Sequence, residues 1–201
     1  MPRNIFDKYK TCYIHIPKTG GTTIEHIIRK NRRKKGGSEH LPIEKYKDYY
    51  HYYIFSIVRN PYTRIISVYN YYKQGGNQSE HDINLMNKDT SLCDFLIKYN
   101  SKKISHLRTQ FSFLKNSTNI NYIGKFEKFE DEVKKICEIL KIEVNKIPNK
   151  RNSKYINNII ITPKFINLVN KIYREDFINY NYKMLQLKES VDYNDFKKML
   201  N

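Results

Sequence analysis

The tract Tyr13-Ile14-His15-Ile16-Pro17-Lys18-Thr19-Gly20-Gly21-Thr22-Thr23-Ile24 constrains the fold more than any other part of the chain. A short apolar run ends in Pro-Lys-Thr-Gly-Gly-Thr-Thr and passes at once into a helical pattern, which is the strand–turn–helix opening of an α/β unit. Paired glycines let backbone N–H groups crowd round an anion, because no Cβ blocks the approach. The N-terminus of the following helix adds unsatisfied donors and the positive end of its dipole. Lys18 brings a mobile point charge, and the hydroxyls of Thr19, Thr22 and Thr23 bring further donors. Residues Pro17 to Thr23 therefore read as a cradle for a phosphate-like group.

It is not the cradle of a nucleoside triphosphatase. That loop reads G-x-x-x-x-G-K-[ST], with its lysine after the last glycine and beside the residue that holds magnesium. Here Lys18 precedes both Gly20 and Gly21, and no glycine occupies the upstream position.

A second anion motif follows in Phe55-Ser56-Ile57-Val58-Arg59-Asn60-Pro61-Tyr62-Thr63-Arg64-Ile65-Ile66-Ser67-Val68-Tyr69. Residues 52–58 are aromatic and β-branched, as in a buried strand. Asn60 then Pro61 start a helix: a side-chain oxygen for the cap, then a ring whose missing N–H costs nothing at the first helical position. Tyr62, Ile65, Ile66 and Tyr69 repeat at helical spacing and form the expected core stripe, with Arg64 and Ser67 off it. Arg59 at the strand end and Ser67 about 9 Å along the helix can flank one phosphate. The planar guanidinium suits that task because it meets phosphate oxygens with two parallel N–H groups.

The order Lys-Thr-Gly-Gly-Thr-Thr resembles the 5′-phosphosulfate loop of sulfotransferases that use 3′-phosphoadenosine 5′-phosphosulfate (PAPS). Val-Arg-Asn-Pro-x-x-Arg-x-x-Ser-x-Tyr is similar to their 3′-phosphate motif, and the two stand about forty residues apart in the family's order. Leu107-Arg108-Thr109-Gln110, Ile123-Gly124-Lys125-Phe126-Glu127, Asn152-x-x-Tyr155 and Ile172-Tyr173-x-x-Asp176-Phe177 are similar to blocks of the carbohydrate branch, which includes heparan sulfate 2-O-sulfotransferase-like enzymes. The likeness runs over about residues 11–182. It implies sulfuryl transfer from PAPS to a hydroxyl, with PAP (3′-phosphoadenosine 5′-phosphate) as product. It also implies a carbohydrate acceptor, an acidic polysaccharide among the options, and no metal.

The transferred group carries less charge than a phosphoryl group, so no magnesium clamp is needed, and no carboxylate cluster lies near either loop. Lys18 is expected to stabilise the bridging oxygen as its bond to sulfur breaks. Family members place a histidine or glutamate base between the two loops, and Ser38-Glu39-His40-Leu41-Pro42 fills that interval. His40 is the expected base, its ordinary pKa suiting neutral pH, with Glu39 the alternative. His15 and His51 read as structural. The segment around Lys150 and Arg151 corresponds to a loop that closes over the nucleotide in the family, and either adds donors to the 3′-phosphate or is plain surface. The cationic run from Arg29 to Lys35 is either a solvated helix end or a rail for an acidic acceptor.

Composition bounds the remainder. At 201 residues the chain fits one sulfotransferase domain and buries roughly 70% of its unfolded surface. Lys plus Arg number 37 against 20 Asp plus Glu, a net charge of +17, which favours polyanionic ligands. Heavy use of Lys, Asn, Ile and Tyr together also fits an AT-rich coding bias. The basic residues are dispersed and no nucleic-acid recognition motif occurs, so no nucleic-acid partner is expected. A basic nucleic-acid-binding protein and a P-loop kinase or nucleotide hydrolase are the rival readings, and the latter lacks its lysine–serine pair and its aspartate. The three cysteines are far apart, and Cys12 and Cys137 read as small core residues in a reducing, cytosol-like compartment. No apolar leader and no uncharged run of 18 residues occur, so a soluble, cytoplasmic chain, or one carried to a membrane by a partner, is expected.

Strands are expected at 11–16, 53–58 and 121–125, and helices at 22–34, 61–73, 91–99, 127–141 and from Pro163 to about Arg174. Their alternation predicts an α/β fold: a three-layer, P-loop-like arrangement with a central parallel sheet flanked by helices. Ligands in such sheets gather beyond the carboxyl ends of the strands, where both anion motifs fall.

Overall fold

A computed structural model describes residues 2–29, 40–84, 90–100, 104–115, 118–144, 146–148 and 159–200. In chain order the elements are β1 (Ile5–Phe6), β2 (Thr11–Ile14), α1 (Gly21–Ile28), β3 (Tyr53–Val58), α2 (Pro61–Lys73), α3 (Glu80–Asn84), α4 (Leu92–Asn100), α5 (Phe111–Leu114), β4 (Tyr122–Lys125), α6 (Phe129–Ile139), β5 (Ile160–Ile161), α7 (Pro163–Ile172), α8 (Arg174–Asn179), β6 (Val191–Asp192) and α9 (Tyr193–Lys198). They fall into two compact units, Met1–Arg59 with Gln110–Asn152, and Asn60–Thr109 with Ser153–Asn201.

The first unit holds the central sheet in the order β1-β2-β3-β4. Strands β2, β3 and β4 are parallel, with Ile14 opposite Ser56 and Val58 opposite Lys125. Two-residue β1 pairs antiparallel with β2, so the sheet is mixed rather than wholly parallel. All four residues of β2 are buried, which explains why it reads as a continuous apolar run instead of an alternating one. Helices α1 and α6 pack Ile24, Ile27, Ile28, Val133, Ile136 and Cys137 against Tyr13, Phe55 and Ile57. Each such side chain contributes roughly 1.5–3 kcal/mol on full burial. Cys12 is also buried, and burial, reinforced by Asp7, pushes its thiol up to about 12.

The second unit is mainly helical, with a small antiparallel β5–β6 ladder that the sequence does not announce. Its core joins Tyr62, Ile65, Ile66 and Tyr69 of α2 to Phe95, Phe165, Phe177 and Phe196. Helix α2 begins as expected: Asn60 Oδ1 accepts from the Tyr62 N–H at 3.0 Å, and Pro61 follows it. The expectation that Arg64 and Ser67 lie off the core face is corrected, because α2 is enclosed on most sides and both residues are buried. Arg64 donates to the carbonyls of His106 (3.1 Å) and Arg108 (2.7 Å), with its guanidinium 5.5 Å from the centre of the Tyr173 ring. A buried cation needs such partners. At α7, Thr162 Oγ1 accepts from Phe165 N–H at 3.1 Å. The helix expected to reach Arg174 ends at Ile172, and α8 restarts after Tyr173. Among the described residues no helix is long and apolar enough to cross a membrane.

Candidate active site

The parallel pairing of β2 and β3 sets their carboxyl ends side by side, and each strand empties into one of the two anion motifs. From β2 the chain runs through His15 and Ile16 into the turn. Lys18 takes φ +68° and Gly20 φ +83° before α1 begins at Gly21. Left-handed backbone is natural for glycine but costs a lysine about 1–2 kcal/mol, and such strain concentrates at functional positions. Among the described residues, none accepts from the backbone N–H groups of Gly20, Gly21 or Thr22. These are the first donors of the helix, left for an outside acceptor.

Both glycines are required by their neighbours. A Cβ on Gly20 would lie 2.3 Å from the Phe129 ring, and one on Gly21 would lie 2.0 Å from His15 Nε2. The threonines divide. Thr19 is buried and its hydroxyl donates to the Ile16 carbonyl at 2.9 Å, so it braces the turn from within. Thr23 is buried with its hydroxyl 3.4 Å from the Pro148 carbonyl, while Thr22 is half-buried at the helix start. Pro17 is buried at the turn's entrance.

Arg59 leaves the end of β3 and reaches across to the neighbouring loop. Its Nη1 donates to the Lys18 carbonyl at 3.2 Å, and its guanidinium lies 4.3 Å from the centre of the Phe126 ring. One cation thus joins the two motifs directly. Ser67, the other residue of the second motif, lies in the second unit on α2.

His40 closes the same region. Its Nδ1 is 3.1 Å from the His15 carbonyl, and the two imidazoles meet edge to face at 4.6 Å. A carbonyl only accepts, so Nδ1 carries the proton and Nε2 keeps its lone pair. Burial, with His15 and Lys18 beside it, pushes the His40 imidazole down to about 3, against the pull of the His15 carbonyl. His40 is therefore neutral across the physiological range. Glu39, Lys150 and Arg151 lie outside the described residues, as do residues 30–35 of the cationic run.

Two features escape a reading of the chain. His15, expected to be structural, does pack as a core residue, yet its ring meets both Gly21 and His40. Its Nδ1 is 2.7 Å from Glu25 Oε1, a pairing at a separation of ten that only the turn into α1 creates. Gln110 belongs to the Leu-Arg-Thr-Gln block, but nothing in the block's residue types says that its amide holds Arg59.

The profile of the sulfotransferase family matches residues 3–183. The chain belongs to the sulfotransferase family. The crystal structure of mouse sulfotransferase SULT7A1 complexed with PAP superimposes with a TM-score of 0.54 at 16% identity, covering 88% of this chain and 90% of that one. At that identity the likeness speaks for the fold. Comparison with curated protein sequences gives no significant match.

Proposed function

We propose that this sulfotransferase moves a sulfuryl group from PAPS to a hydroxyl of a carbohydrate, acting as one catalytic domain. The observation that supports this most is the hydrogen bond from Arg59 to the Lys18 carbonyl, which ties a guanidinium to a glycine turn whose helix-start N–H groups are unpartnered within the described chain. The donor set is made of cations, N–H groups and hydroxyls, which fits a ligand bearing phosphates. PAPS supplies the sulfuryl group and departs as PAP.

The chain's own residues divide the work. The N–H groups of Gly20, Gly21 and Thr22, with the Thr22 hydroxyl and Lys18 Nζ, hold the 5′ end. Arg59 and Ser67 take the 3′-phosphate, as the resemblance of their motif implies, with Lys150 and Arg151 as further donors. Lys18 also neutralises charge on the leaving oxygen. His40 takes the acceptor's proton at Nε2, which its tautomer leaves as the acceptor. The ordinary pKa expected of it does not hold, since burial pushes the imidazole down to about 3. That makes it a weak base, which accepts the proton only as the hydroxyl becomes acidic in the transition state. Glu39, its neighbour, is the alternative base. The carbohydrate preference rests on the likeness of the later blocks to the carbohydrate branch, and the net charge of +17 favours an acidic acceptor.

The test is transfer of labelled sulfate from PAPS to a panel of neutral and acidic sugars, analysed by mass spectrometry. Sulfated sugar is the expected product, and transfer to tyrosyl peptides or small alcohols alone would overturn the carbohydrate assignment. PAP at a hundred times its Kd is expected to stabilise the fold by about 2.7 kcal/mol, which reads directly in a melting curve.

A further inference from the structure

The ladder between β3 and β4 ends at the pair Val58 and Lys125. Arg59 is the next residue along β3, and its backbone is carried past the last rung of the sheet into a buried position. There its N–H and C=O lie beyond the last paired rung and need partners of their own. Gln110, wholly buried, provides both: Oε1 accepts from the Arg59 N–H at 2.8 Å, and Nε2 donates to the Arg59 carbonyl at 2.7 Å. One planar amide therefore stands in for a missing rung of the ladder. Glutamine is suited to this because it offers a donor and an acceptor side by side. A carboxylate has no donor, an aliphatic side chain has neither, and asparagine is one methylene shorter. The backbone carbonyl of Gln110 is in turn engaged by the Phe113 N–H at 3.0 Å, in the first turn of α5.

We propose that Gln110 is the positioning residue for Arg59. It holds Arg59 by both backbone groups, so that the guanidinium meets the Lys18 carbonyl and keeps the anion turn in its left-handed conformation. The inference rests on the reading of Arg59 as a nucleotide ligand. Gln110 acts on the nucleotide only through Arg59, and this separates it from a residue that merely helps the chain fold: its effect on binding exists only while the arginine is present.

A double-mutant cycle on PAP affinity, measured by calorimetry on the full chain, tests this. Gln110→Leu and Arg59→Lys are each expected to weaken PAP by about tenfold, and the double variant by no more than the worse single one. Losses that multiply in the double variant would overturn the proposal, as would a Gln110→Leu protein that binds PAP within about threefold of wild type. Should Gln110→Leu fail to fold, Gln110→Glu keeps the acceptor for the Arg59 N–H and sets a carboxylate oxygen against the Arg59 carbonyl in place of the donor. A weakened Gln110→Glu protein supports the assignment, and wild-type affinity refutes it. If the unaltered chain itself does not bind PAP, the nucleotide reading of Arg59 falls, and this inference with it.

Discussion

His40 offers a measurement in which folding and catalysis test the same geometry. Its imidazole is held neutral, pushed from 6.5 to about 3 mainly by burial. The unfolded chain therefore binds a proton here as the pH falls below 6.5, while the folded chain does not. The stability contributed by neutral His40 is present in full above the unfolded pKa and drains away as the pH falls towards 3. Integrating between those limits, a shift from pH 7.5 to pH 5 removes about 2 kcal/mol through this one residue. Other groups titrate in the same window, so the comparison is between the wild type and His40→Asn, which retains an amide donor for the His15 carbonyl but no proton to gain. Urea unfolding at both pH values is the assay. The wild type is expected to lose about 2 kcal/mol more than the variant on acidification. Parallel losses, within about 0.5 kcal/mol, would refute a buried neutral imidazole at this position. The rate profile follows from the same cause: kcat/KM of the wild type is expected to show no acid limb near pH 6.5, the ordinary pKa.

Four further outcomes follow from the structure. Lys18→Ala is expected to lower turnover by about a hundredfold or more while changing PAP affinity far less; the opposite split, read from kcat and a PAP titration, would remove Lys18 from the leaving-group role. Gly21→Ala places a Cβ 2.0 Å from His15 Nε2 and is expected to cost about 1–3 kcal/mol in denaturant unfolding, with loss of the PAP-induced rise in Tm. Gly20→Ala meets Phe129 instead, so adding Phe129→Leu is expected to restore part of its stability but nothing to Gly21→Ala. Cys12, with its thiol pushed up to about 12 and its side chain buried, is expected to resist alkylation at pH 8 in the native protein and to react on unfolding, as mass spectrometry of trypsin digests would record.

The parts of the molecule legible in the chain are those whose physics is local. Asn60 and Pro61 mark the start of α2 because a cap and a first-turn proline act within three residues, and β3 spans Tyr53–Val58 as its composition predicts. The Lys-Thr-Gly-Gly order likewise announces a tight turn into a helix without any knowledge of what surrounds it. Periodicity fails where burial is not one-sided. Arg64 falls off the apolar stripe of α2, yet it is enclosed, since the carbonyls of His106 and Arg108, more than forty positions away, give its charge somewhere to go. Strands β1, β5 and β6 have two residues each, too few to carry an alternation. The contact of His40 with the His15 carbonyl spans 25 positions, and only the fold brings that pair together.

The glycines show how a local reading of the chain can miss a second cause. Read from the chain, Gly20 and Gly21 make room for an anion. In the fold that room is already contested from inside the protein. The Phe129 ring occupies the space beside Gly20, whose φ of +83° independently favours glycine, and the His15 ring occupies the space beside Gly21, whose backbone demands nothing unusual. The ring that excludes a side chain at Gly21 is held by Glu25, from the same helix that Gly21 begins. Helix start, glycine turn and the backbone carbonyl that orients His40 thus meet at one residue, His15. A change at His15 therefore reaches the donor loop and the proposed base together, although neither function belongs to His15 itself.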